Sequence, residues 1–208
     1  MPWASREHLN AEIQNLLSEI GRYGSGQEAQ QGVLIDEIGN LCREYGDPRA
    51  PTWYAKALEL WRVGYPEPNS RAALILWKAG DFAASKEECD KVIDLNEKRL
   101  RLPLADPERM TREHSELAIA HFLRGEYEMA ADCAERAAGR SPAAKPTAIT
   151  ALARIAKGLA GKDIEVFESG LSVLRALIKE WPTYGSGATL DLYRFALSLR
   201  DGPFPGGA

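Results

Sequence analysis

Apolar residues recur every three to four positions along most of the chain, and turn-forming residues interrupt them at intervals. That pattern predicts short amphipathic helices. Leu9, Ile13, Leu16, Leu17 and Ile20 form the first stripe, with Ser5 placed to cap its start and Gly21 to end it. The stretch GRYGSGQEAQQG (21–32) reads as a flexible loop between helices. A second stripe, Leu34, Ile38, Leu41, Cys42 and Tyr45, stops at Gly46-Asp47-Pro48. A third uses Tyr54, Ala57, Leu58 and Trp61, and Pro66 and Pro68 close it, because proline cannot continue a helix. Nothing alternates long enough to read as a half-buried strand. Val33-Leu34-Ile35 comes closest, and it sits inside a better helical pattern.

From Asn69 onward the pattern is more regular. It predicts helices over 69–79 and 82–101, then one capped by Asp106-Pro107 and running to Arg124. Gly125-Glu126-Tyr127 opens a helix to about Ala138. Ser141-Pro142 and Pro146 precede a helix to Ala160, and Gly161-Lys162-Asp163 opens a long one to Trp181. A last helix covers about 188–200, and the Gly/Pro-rich 201–208 reads as a flexible tail. About ten helices, pairing into five antiparallel hairpins, predict an all-α fold. The expected organisation is one helical-repeat domain over 1–200, with 69–181 its most regular part.

Two segments align: WKAGDFAASKEECDKVIDLN (77–96) and FLRGEYEMAADCAERAAGRSP (122–142). Each has an apolar helix end, a glycine, an acidic residue, an aromatic, then small residues at helical spacing. These are Gly80, Asp81, Phe82, Ser85, Cys89 and Val92 in one, and Gly125, Glu126, Tyr127, Ala130, Ala134 and Ala137 in the other. The glycine permits a tight turn, the aromatic is expected to wedge between the helices, and the small residues let them approach closely.

Over 70–160 this resembles the tetratricopeptide repeat. The turn glycines 80, 125 and 161 lie 45 and 36 residues apart, against about 34 in that family. The longer spacing puts a protruding connection in KRLRLPLADPERMTR (98–112). The resemblance implies hairpins stacked in a right-handed superhelix; an irregular α-bundle with the same turns is the alternative. It also implies that the first helix of each hairpin lines a groove, placing Trp77, Ile119, Phe122 and Ile155 at or near it. Arg99, Arg101 and Arg109, in the basic connection, would form a polar rim. The groove lacks the lysines, arginines and asparagines of the family's carboxylate-binding version. An apolar groove suits a helix or an extended apolar segment.

Composition narrows the function classes. The chain has 208 residues, 45% hydrophobic and 27% charged, enough for a real core and unlike a disordered chain. The net charge of −4 argues against broad nucleic-acid binding. No apolar run approaches the roughly 18 residues of a membrane span, and no secretory signal is evident. The expectation is therefore a cytoplasmic protein without membrane contact. Cys42, Cys89 and Cys133 sit on apolar stripes and read as small hydrophobes in a reducing compartment. His114 and His121 are seven apart with Glu113 and Glu116 nearby, but neither an HExxH nor a CxxC accompanies them, so no metal is expected. Acidic neighbours such as Asp36 and Glu37 read as a solvated face.

No catalytic set and no cofactor are expected. The sequence points to a non-enzymatic module holding a protein partner, as monomer or homodimer. By analogy, small acidic helical proteins of this kind include bacterial immunity proteins that neutralise a toxin or secreted effector. The alternatives are a chaperone or secretion adaptor and, further off, an enzyme or small-ligand domain with a pocket near His114, His121 and Tyr127.

Overall fold

Helix, turn and loop make up the whole of the described part of the computed structural model, which covers residues 6–103, 106–139, 147–180 and 186–201. Ten helices and no strand occur there, as the periodicity predicts. They are α1 (Arg6–Ile20), α2 (Glu28–Glu44), α3 (Ala50–Gly64), α4 (Ser70–Lys78), α5 (Phe82–Leu100), α6 (Pro107–Leu123), α7 (Tyr127–Ala138), α8 (Ala148–Gly161), α9 (Ile164–Glu180) and α10 (Ser186–Asp201). The expected cap at Ser5, the turn at Ser141-Pro142 and Pro146, the end at Trp181 and the tail beyond Asp201 lie outside the described residues.

Four helix ends share one turn. Gly46, Gly80 and Gly125 adopt φ of 65°, 85° and 79°, and Lys162 adopts 55°. Each of the four donates its N–H to the carbonyl three residues back, and the next residue donates to the carbonyl five back. The latter bonds are Asp47 to Cys42 (2.7 Å), Asp81 to Leu76 (3.1 Å), Glu126 to His121 (2.9 Å) and Asp163 to Gly158 (2.8 Å). This is the left-handed C-cap that satisfies the last carbonyls of a helix. The residue after it is acidic every time. Asp81 Oδ1 accepts from Ala84 N (3.0 Å) and Asp163 Oδ1 from Glu165 N (3.0 Å), so each caps the helix that follows. The sequence assigns the last of these four turns to Gly161; the left-handed residue is Lys162.

Where the sequence reads 1–200 as one domain, the tertiary contacts fall into two compact units, Met1–Glu88 and Cys89–Ala208, with the boundary inside α5. The first unit is built on the antiparallel pair α2 and α3. Leu9 and Ile13 of α1, Ile35, Ile38 and Cys42 of α2, Tyr54 and Ala57 of α3 and Ile75 of α4 form its core. α2 starts at Glu28, so Gly32, expected in a flexible loop, is helical and buried. A β-carbon on Gly32 would stand 3.2 Å from Ala57 O and Trp61 N, and one on Gly39 would meet the Tyr54 ring at 2.6 Å. Two glycines seven apart on one face therefore set how closely α3 lies.

In the second unit, α6 packs on α7, α7 on α8 and α8 on α9. Ala130, Ala134 and Ala137 of α7 are fully buried, as the small-residue pattern predicts. The α8–α9 contact again runs through glycine. A β-carbon on Gly158 would stand 2.5 Å from Phe167 N, and one on Gly170 would stand 2.9 Å from Ala151 O. Leu152, Ile155, Leu159, Phe167, Leu171 and Leu174 fill the space around that contact.

Candidate functional site

The residues expected to form a partner surface divide sharply. Phe122 and Ile155 have no exposed surface. Phe122 packs edge-on against Phe195 (5.2 Å between ring centres) and Tyr127 (5.7 Å). Both are core of the second unit, which corrects their assignment to an exposed groove: large apolar side chains at these stripe positions are taken up by the neighbouring helices. Ile119 is half-buried on the same helix, α6.

The basic connection is also not a free positive surface. Arg109 Nε donates to Glu113 Oε1 (2.8 Å), and its Nη2 donates to the Arg99 carbonyl (2.7 Å), closing the end of α5. Arg101 pairs with Glu97 (3.4 Å) and Lys98 with Asp94 (2.6 Å), each one helical turn away. The spacing that gathers the basic residues also places a carboxylate one turn from Lys98, Arg101 and Arg109. Arg109 acts as an anchor for the chain rather than as a rim.

Trp77 stands differently. It is half-buried near the end of α4, with the Arg43 guanidinium 5.9 Å above its ring. Phe82, the first residue of α5, lies 6.5 Å away between ring centres and is 62% exposed. The aromatic expected to wedge between helices is instead on the surface. The cause is the turn: Gly80 and Asp81 use up the last bonds of α4, and Phe82, on the same stripe as Ser85, Cys89 and Val92, stands at the first position of α5, one turn before Ser85, where that stripe becomes buried. Tyr127 holds the equivalent place in the second unit and is half-buried on Phe122. Burial pushes the Tyr127 hydroxyl pKa up.

The sequence reading misses a buried polar cluster in the first unit. Asp36 of α2, expected in a solvated face, is 1% exposed. Lys78 Nζ donates to both of its carboxylate oxygens (2.5 and 2.6 Å), and Arg71 Nη2 donates to Oδ2. The Lys78 ammonium also lies 5.2 Å from the centre of the Tyr54 ring, a cation–π contact. Tyr54 in turn donates its hydroxyl to Asn40 Oδ1 (3.0 Å). The available signal was position: Asp36 lies between Ile35 and Ile38 on the stripe that faces the core. With both oxygens held by cations, the carboxylate ties α4 to α2.

In the second unit His121 is engaged by a carboxylate. His121 Nδ1 lies 2.6 Å from Glu126 Oε2, and Arg124 pairs with Glu126 (2.9 Å) and with Asp90. The three thiols are buried and form no disulfide. Burial pushes the Cys133 thiol up to about 11 and that of Cys42 upward as well, so at neutral pH neither supplies a thiolate. Among the described residues no group of three or more His, Cys, Asp or Glu side chains is arranged to hold a metal ion, and no helix is long and apolar enough to cross a membrane. No protein-family model matches the chain, and no curated protein matches it.

Proposed function

We propose that the chain is a protein-binding helical module that holds one specific partner, acting as an inhibitor of a basic toxin or secreted effector and carrying out no chemistry of its own. The observation that supports this most is the aromatic set at the α4–α5 turn: exposed Phe82, half-buried Trp77 and the Arg43 side chain over it. Tryptophan and arginine are the side chains most enriched among interface hot spots, and an exposed phenylalanine beside them gains from being covered. The net charge of −4 favours fast capture of a basic partner. The buried Cys42 and Cys133 thiols, pushed upward by burial, and the Asp36 carboxylate held by two cations support a structural rather than a catalytic reading of these groups. They also fit a reducing compartment.

The test is affinity capture from the source cells with wild type and Phe82→Ser side by side. Phe82 makes little core contact, so both proteins should melt alike. The expected result is one stoichiometric protein retained by wild type and lost by the variant. Capture that is equal for both, or no stoichiometric partner at all, would overturn the reading.

A further inference from the structure

We draw no further inference here: the strongest candidate, the exposed Val63–Tyr65 apolar patch at the end of α3 in the first unit, is solvent-facing, but nothing in the structure shows what covers it.

Discussion

The α2–α3 and α8–α9 pairs solve the same packing problem with different interiors. In both, glycines remove the β-carbons that would hold two helices apart: Gly32 and Gly39 in the first, Gly158 and Gly170 in the second. Beyond that they diverge. Around Gly158 and Gly170 the fill is aliphatic and aromatic, from Leu152 to Leu174. Around Gly39 the contact is made by Tyr54, whose hydroxyl leads to Asn40 and whose ring underlies Lys78 and its Asp36 partner. The dry contact depends on volume alone. The polar one depends on volume and on complete pairing of buried charge, so a single change can fail it in two ways.

The largest effect expected is at the polar contact. Asp36→Leu leaves Lys78 and Arg71 facing each other without their carboxylate, and should destabilise the first unit by about 3–5 kcal/mol. Adding Lys78→Met should recover part of that loss, since it removes the fully buried ammonium and leaves only Arg71, whose side chain reaches solvent. Urea unfolding of the single and double variants measures both. Loss that persists in the double variant would show that the cluster acts through packing, and the contrast between the two pairs would collapse.

At the dry contact the probe is Gly158→Ala. The added methyl would sit 2.5 Å from Phe167 N and 2.7 Å from its Cα, and backbone cannot step aside as a side chain can. About 3 kcal/mol of destabilisation is expected, at the upper end for overpacking by one carbon. Hydrogen exchange should show it as lost protection in α8 and α9. An unchanged exchange pattern would mean that the close approach is not enforced.

The turns test whether backbone conformation matters independently of either interior. Gly125 has φ of 79° and open space around it, with only the Tyr127 hydroxyl at 3.9 Å from an added β-carbon. Gly125→Val should therefore cost about 1–3 kcal/mol through backbone strain alone, read as a lower melting temperature. The converse holds at Lys162, the one non-glycine residue in this conformation among the described residues. Lys162→Gly should stabilise by about 1 kcal/mol.

The smallest effect is electrostatic and belongs to the first unit. Arg49 donates to Asp47 Oδ1 from its backbone and from Nε, both at 2.9 Å, and its guanidinium also reaches Oδ2 (2.8 Å). These bonds hold the Asp47 pKa at about 2, below the ordinary 3.8. A lowered pKa means the native state holds its proton less tightly than the unfolded chain does. The contribution is therefore complete above pH 3.8 and disappears as pH falls towards 2. Melting curves across that range should show a decline for wild type that Asp47→Asn flattens.

What was legible in the sequence was whatever a single residue type makes nearly compulsory. Glycine before an acid marks the turns at 46, 80 and 125, and Asp106-Pro107 marks a helix start where Asp106 Oδ1 does accept from Glu108 N (3.0 Å). Lys162 escaped because nothing about a lysine announces a left-handed backbone. Gly32 was misread because it follows a run of glycines and glutamines, and only the facing Ala57 and Trp61 reveal its use. Asp36 was misread because a charge on a helix is solvated by default, and its two cations arrive from 35 and 42 residues away. Phe122 and Ile155 show the same limit from the other side. Periodicity finds an apolar face, but what covers that face is decided by residues far along the chain.

The paired signals at the α4–α5 and α8–α9 turns have a consequence for how the molecule is made. A left-handed residue ends one helix and the aspartate directly after it begins the next, so both boundaries are written within two adjacent positions. Neither boundary depends on a distant partner. During synthesis, each helix can be delimited as soon as its own turn has left the ribosome, before the packing surfaces that will bury it exist.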